Sequence, residues 1–179
     1  MGTKRFLAAM ALLSMVTVAD LAAQGNNQTR KGFWFGAGMG YGSLGCEGCG
    51  TREGGFSGYL KAGATVSNQV LLGFETNGWT KSQGGATLSS GNLSGALYLY
   101  PSPKVGFFMK GGAGIAVLKM NLAGFGGASD TGAGLLLGLG YDARVGHNVS
   151  LTPYFNLVGG SFTGGTANVA QFGLGVTMH

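Results

Sequence analysis

Residues 131–142 read TGAGLLLGLGYD, an alternation in which nearly every second position is glycine and most positions between are leucine or alanine. Glycine weakens both helices and strands, so its regular use needs a specific reason. A period of two places alternate side chains on opposite faces of a strand. The stretch therefore predicts a strand whose leucines face lipid and whose glycines face a crowded barrel interior.

The composition sets the broad class of the protein. The chain has 179 residues, of which 38 are glycine, while hydrophobic residues make up 45% and charged residues 9%. A disordered chain would need lower hydrophobicity and more charge, and collagen would need glycine at every third position. The length suits one domain with a substantial core. The chain is therefore expected to be ordered, with an unusual environment for its apolar residues.

The N-terminus predicts a cleaved secretory signal peptide. Lys4 and Arg5 precede an apolar run from Phe6 to Ala19, and small residues suitable for cleavage follow. The run has 14 residues, whereas a spanning helix needs about 18 or more, so we favour a signal peptide over a membrane anchor. Cleavage is expected after Ala23 or Gln24. The predicted division is a signal peptide over 1–24, a short lead over 25–31 and a barrel domain over 32–179.

Apolar residues continue to alternate with small or polar ones along the rest of the chain. The pattern predicts antiparallel strands of about nine to twelve residues, the length that crosses a bilayer at a tilt. We therefore expect an all-β protein, an eight-stranded antiparallel up-and-down transmembrane β-barrel after the cleaved signal peptide. The predicted strands cover 33–41, 56–64, 70–80, 93–100, 107–118, 132–142, 149–158 and 170–178.

The connections between these strands alternate in length. Short turns are expected at 66–69, 101–105 and 143–148. Mostly longer loops, rich in glycine and serine, are expected at 43–54, 81–91, 119–130 and 161–167. Outer-membrane barrels keep their periplasmic turns short and their extracellular loops long. Both chain termini are therefore expected on the periplasmic side.

Pro153 lies inside one of the predicted strands. Proline has no N–H to donate, and a closed barrel has no free edge where that loss would be harmless. We therefore expect a bulge or the end of a hydrogen-bond ladder near this residue.

The charged residues of the strands decide which face is inside. A lysine at the bilayer midplane would cost roughly 2–4 kcal/mol, so these side chains should point inward. The expected interior charge network consists of Lys61, Glu75, Lys110 and Asp142. If the hairpin turn is centred on residue 68, Lys61 lies directly across from Glu75. Large interior side chains are expected from Trp34, Tyr59, Tyr98, Phe108, Leu136 and Tyr154, and because buried charges need partners, the interior should be plugged.

Two internal stretches resemble a known family. Residues 100–116 read YPSPKVGFFMKGGAGIA and are similar to a recurrent hairpin of small outer-membrane barrels of the OmpA/OmpX type, and residues 150–156 read SLTPYFN. The resemblance covers roughly residue 32 to the end. It implies a location in the outer membrane of a Gram-negative bacterium, contact with outer-membrane lipids, insertion by the barrel assembly machinery, and a monomer.

The C-terminal stretch QFGLGVTMH is similar to the assembly signal of such barrels. The positions that match the signal are Gln171, Gly173, Val176 and Met178. The chain departs from the family pattern at His179, where an aromatic residue is usual. The resemblance implies that the assembly machinery recognises this segment.

Cys46 and Cys49, in GCEGCG, predict a small disulfide in the first surface loop, while a free pair or an adventitious metal site stays open. A structural zinc site needs about four ligands. The two histidines, His147 and His179, are expected at the opposite end of the barrel. We therefore expect neither a metal site nor a cofactor.

Three basic residues in the expected outer loops are candidates for contact with lipopolysaccharide phosphates: Arg52, Lys81 and Lys119. No basic run alternates with aromatic residues, so nucleic acid is not an expected partner. Barrel enzymes that act on lipid A resemble a pattern with a catalytic histidine and serine near the outer leaflet. No histidine lies in the expected outer half of this chain, so we predict no catalytic residues.

Three functions are open from the sequence. The first is a non-enzymatic outer-membrane barrel with a structural or surface-interaction role through its extracellular loops. The second is a narrow porin or transporter for small solutes. The third is a soluble envelope barrel of the lipocalin type that holds an apolar ligand, in which the apolar face would point inward.

Overall fold

The computed structural model describes residues 30–122, 124 and 126–179, so the predicted signal peptide lies outside the described residues. Within them, no helix is long and apolar enough to cross a membrane. The strand segments are β1 (Phe33–Cys46), β2 (Glu53–Ser67), β3 (Val70–Gln83), β4 (Ala86–Leu99), β5 (Phe107–Leu122), β6 (Gly126–Tyr141), β7 (Ala143–Arg144), β8 (Val149–Phe162) and β9 (Gly165–Met178).

The strands close into a barrel of the up-and-down type. Neighbours in sequence pair antiparallel from β1 to β6, and β8 pairs with β9. Closure comes from β1 pairing with β9, and from β6 and the two-residue β7 both pairing with β8. Since β6 and β7 lie along the same edge of β8, the barrel has eight strands. The predicted all-β, eight-stranded fold is confirmed.

Pro153 explains why β6 and β7 are separate. Gly140 pairs with Tyr154 and Ala143 pairs with Leu151, so the register is the same on both sides of the break. Pro153 lies between these pairs and cannot donate a ladder hydrogen bond. Opposite it, the ladder stops, and the Asp142 N–H donates to the Gly106 carbonyl at 2.9 Å instead. The expected end of a ladder near Pro153 is confirmed.

The strands extend further toward one end of the barrel than the sequence predicts. Residues 81–91, 119–130 and 161–167, expected as loops, lie mostly in paired strands that end in tight turns, and the β1–β2 connection spans only 47–52. Gly84 and Gly85 make the β3–β4 turn with φ of 59° and 81°, a region that favours glycine. The expectation of long loops is wrong here because glycine and serine weaken a strand without preventing it when the partner strand continues.

Side chains alternate between the two faces of the barrel wall as the sequence predicts. In the stretch from Leu135 to Leu137, the outer two leucines are 53% and 50% exposed, whereas Leu136 is fully buried. Large apolar side chains face outward on every long strand, and they include Phe35, Phe56, Phe74, Leu93, Ile115, Leu157 and Leu174. The predicted interior side chains Trp34, Tyr59, Tyr98, Phe108, Leu136 and Tyr154 are all buried. This arrangement is the reverse of a soluble barrel that holds an apolar ligand.

Candidate functional site

The interior of the barrel centres on the carboxylate of Glu75. The ammonium of Lys110 lies 2.6 and 2.7 Å from its two oxygens, and both side chains are fully buried. The hydroxyl of Tyr98 donates to the same carboxylate, and the amide of Asn77 donates to it at 3.1 Å. Since Glu75 lies on β3 and Lys110 on β5, this ion pair joins strands that are not neighbours in the sheet.

Lys61 occupies the position opposite Glu75 in the β2–β3 register. Its ammonium nevertheless lies among aromatic rings, 5.0 Å from the centroid of Phe108 and 5.4 Å from that of Tyr98. Tyr59 and Trp34 also lie within 6 Å of this ammonium. Cation–π attraction at these distances partly replaces the hydration that the buried ammonium has lost. The structure thus brings Lys61, Glu75 and Lys110 together, with Lys110 as the direct partner of Glu75.

Asp142 lies at the terminal end, the end of the barrel that carries both described termini and the β2–β3 and β4–β5 turns. It accepts hydrogen bonds from Tyr100 Oη at 2.7 Å and Thr152 Oγ1 at 2.6 Å, and His179 Nε2 lies 3.3 Å away. Burial raises the pKa of the Asp142 carboxyl, but the contact with His179 and the charge of Lys61 outweigh it and hold this pKa below its usual range. His179 therefore points into the barrel and bonds the C-terminus to the end of β6.

Arg30 closes the terminal end, and the sequence carries no signal that identifies it. Its guanidinium stacks over the Tyr100 ring at 3.6 Å from the centroid. It donates to the carbonyls of Val105 at 3.1 Å and Asn68 at 3.4 Å, which belong to two different turns. The side chain is fully buried. A basic residue before the first strand is otherwise expected in solvent, so only the structure reveals this contact.

An apolar cluster fills the interior near the loop end, the end opposite to the terminal end. Its buried members are Leu44, Trp79, Ala167 and Val169. The Trp79 indole N–H donates to the Gly42 carbonyl at 2.9 Å, which anchors the ring across the interior. Strand alternation identifies Trp79 in retrospect, because it shares the inward face of β3 with Glu75 and Asn77. We call these four residues the apolar plug.

The interior glycines make room for these large side chains. A Cβ at Gly138 would lie 2.6 Å from Asn156 Oδ1 and 2.7 Å from Lys110 Cε. A Cβ at Gly38 or Gly175 would overlap the ring of Tyr59. The glycines of the opening stretch therefore serve the packing that the sequence predicts.

A disulfide joins Cys46 and Cys49, as the spacing predicts. Cys46 ends β1 and packs against the apolar plug, so this disulfide lies at the loop end. In the described part of the chain, no group of three or more metal-ligating side chains comes together. His147 and His179 lie at the terminal end, far from the cysteines along the barrel.

The three basic candidates have different surroundings. Arg52 donates to Asn168 Oδ1 at 2.8 Å and to the Ser43 carbonyl at 2.6 Å, so its guanidinium joins the β1–β2 loop to β9. Lys81 forms an ion pair with Glu53 on the neighbouring strand. Lys119 lies on β5 beside Ser89 and is exposed. Two of the three are therefore engaged within the chain.

The residues of the expected assembly signal alternate along β9. Gln171 is buried and donates to the Gly78 carbonyl at 3.2 Å. Gly173 lies on the same inward face, where a Cβ would overlap the backbone of β1. Val176 and Met178 face outward. The segment therefore presents an apolar face to the outside and completes the closure of the barrel through its pairing with β1.

The fold is similar to those of small barrels of known structure. Neisserial surface protein A matches with a TM-score of 0.65 and 17% identity, over 84% of this chain and 98% of that one. Ail, the attachment invasion locus protein of Yersinia pestis, matches with a TM-score of 0.59 and 12% identity in its complex with the heparin analogue sucrose octasulfate, over 84% of this chain and 100% of that one. No protein-family profile and no curated protein matches the sequence. The chain is thus an eight-stranded up-and-down β-barrel with the fold of these small barrels.

Proposed function

We propose that the protein is a non-enzymatic, monomeric component of a bacterial outer membrane, with a closed interior and a structural or surface-interaction role. The observation that carries this proposal is the filled barrel axis: Arg30 at one end, the Glu75–Lys110 pair in the middle and Trp79 at the other end. Function then resides on the outside of the barrel and at its loop end.

The interior network supports a closed barrel because opening it is costly. Separating a buried ion pair leaves an uncompensated charge, at a cost of about 3–5 kcal/mol. An ion crossing the barrel would have to displace both the Glu75–Lys110 pair and the Trp79 ring. Eight strands also leave an interior just wide enough for side chains. A narrow porin would need these groups to move aside together.

The same network gives a reason to expect no catalysis. The carboxylates of Glu75 and Asp142 are buried and already accept hydrogen bonds from several partners. A general acid or base must instead reach a substrate proton at hydrogen-bond distance. These carboxylates therefore serve the interior packing and charge balance.

The outer surface supports a membrane location and the expected partners. Apolar side chains cover the outer wall, which suits contact with outer-membrane lipids. We propose that the assembly machinery recognises β9 through Gln171, Gly173, Val176 and Met178. Ail was solved in complex with the heparin analogue sucrose octasulfate, and binding of a polyanion is one surface interaction that we propose to test for this barrel.

Planar-bilayer recording tests the closed interior. Purified protein should give no reproducible ion-sized conductance steps, whereas a porin measured in the same bilayers should give them. Reproducible steps from the folded protein would establish a porin instead.

Membrane fractionation tests the location. The protein should stay in the outer-membrane fraction after carbonate washing, and its gel mobility should change on boiling because folded barrels migrate differently from unfolded chains. Release by carbonate would contradict the membrane assignment.

A further inference from the structure

A groove of about 990 Å³ is lined mostly by outward-facing residues of the barrel wall, together with the inward-facing Tyr59 and Trp79. Gly58, Gly78 and Gly91 lie along it as direct register partners on β2, β3 and β4. Val117 continues this row on β5, and Met39 continues it on β1. The groove therefore runs across several neighbouring strands on the face that meets lipid.

The packing of the chain itself does not require two of these glycines. A Cβ at Gly78 or at Gly91 would meet no other atom within 4 Å. Gly138, on the inward face, has no such space. A side chain would fit at both positions, so contacts within the chain do not require these two glycines. Their lack of side chains keeps the outer surface low along this row, which forms the bottom of the groove.

The two sides of the groove differ in polarity. On the side toward the loop end, the hydroxyls of Thr80 and Ser89 lie 3.1 Å apart, and Lys119 is the next register partner of Ser89. On the side toward the terminal end lies the apolar side chain of Leu60, with Ala37 further along. An occupant is therefore expected to be apolar along most of its length and polar at the loop end.

The charge of that polar end is positive. Arg52 and Lys81 are held by partners within the chain, whereas Lys119 has no hydrogen bond or ion pair with any described residue. No aspartate or glutamate lines the groove. A lysine at the edge of an apolar surface without a carboxylate partner complements an anionic group from outside.

We propose that this groove holds an acyl chain of a phosphorylated acyl glycolipid of the outer leaflet, with the lipid phosphate on the Lys119 ammonium. A second copy of this chain fits less well, because a symmetric contact through the groove would bury Lys119 without an acidic partner. The inference rests on the proposed outer-membrane location and adds a lipid site to it.

Native mass spectrometry of the purified barrel in a mild detergent tests the site, with diphosphorylated lipid A as the probe. The wild-type protein should retain one lipid, and the dephosphorylated form of that lipid should bind about tenfold more weakly. Lys119→Gln should weaken binding of the phosphorylated lipid to a similar extent. Gly78→Val with Gly91→Val should fill the groove and also weaken binding.

Two matched variants serve as controls. Gly159→Val alters another glycine with free space, outside the groove, and Lys104→Gln removes a charge from the β4–β5 turn. Both should bind like the wild type, and gel mobility before and after boiling checks that every variant is folded. Equal binding by the wild type, Lys119→Gln and the double valine variant would overturn the proposal. A dimer that the double valine variant abolishes would assign the groove to a second copy and overturn it too.

The binding measurement in detergent is independent of where the protein resides in the cell. If the protein stays in the outer-membrane fraction but the purified barrel does not bind the lipid, this inference alone is rejected. Release from membranes by carbonate would reject the proposed location.

Discussion

Replacing Lys110 by methionine tests the interior network most sharply. The substitution keeps much of the side-chain volume but leaves the buried Glu75 carboxylate without its ion-pair partner. Breaking a buried pair in this way costs about 3–5 kcal/mol. Lys61 lies opposite Glu75 in the register and can supply part of the missing charge, so we expect the unfolding free energy to fall by about 3 kcal/mol, the lower end of that range.

The second change in this test is Glu75→Gln. It removes the carboxylate charge but keeps a carbonyl oxygen that can accept a hydrogen bond from Asn77 or Tyr98. In the double variant with Lys110→Met, both charges of the buried pair are gone, so neither is left without its partner. The double variant should therefore regain much of the stability lost in Lys110→Met, and the two effects should be strongly non-additive.

Equilibrium unfolding in urea with lipid vesicles measures these effects. The two tryptophans, Trp34 and Trp79, are both buried inside the barrel, so their fluorescence reports the loss of interior packing. The reasoning is refuted if Lys110→Met costs less than about 1 kcal/mol and its effect adds to that of Glu75→Gln.

Three further outcomes follow from the packing and the charges. Trp79→Ala should lower the unfolding free energy by about 3–5 kcal/mol in the same assay, because it removes the largest member of the apolar plug. Gly138→Val should destabilise by about 1–3 kcal/mol through overlap with Lys110 and Asn156, whereas Gly159→Val should have little effect. The pKa of Asp142 is lowered in the folded protein, so its stabilisation is present above its usual value, about 3.9, and is lost as the pH falls. When the pH is lowered from neutral to acidic, the unfolding free energy of Asp142→Asn should therefore fall less than that of the wild type. An equal fall in the two proteins would contradict a stabilising role for the contacts of Asp142 with Tyr100, Thr152 and His179.

Strand alternation was sufficient to predict which residues face inward. In residues 131–142, the leucine-rich and glycine-rich faces are those that the period of two predicts, with Leu136 inside. The hairpin register also follows from a short turn, which places Lys61 opposite Glu75. These features depend on residues close in sequence or on one repeating geometry.

Contacts across the barrel were not predictable in the same way. Lys110 reaches Glu75 from a strand two positions away, which depends on strand tilt and barrel radius. Arg30 donates hydrogen bonds to two turn carbonyls. The types of residue in a sequence do not reveal where backbone carbonyls will lie in the folded chain. The glycine-rich segments near the loop end were also ambiguous, because the hydrogen bonds of a partner strand decide whether they extend or form loops.

The orientation of the barrel wall is tested most directly by spin labels at Leu137 and Leu174. Labels are attached to cysteines introduced at these positions after Cys46 and Cys49 are replaced by serine, with a label at Lys104 as the water-exposed reference. Both wall labels should be accessible to oxygen dissolved in lipid and shielded from a water-soluble relaxation agent. If the labels at Leu137 and Leu174 were as accessible to the water-soluble agent as the label at Lys104, the conclusion that the leucine face of the wall meets lipid would be wrong.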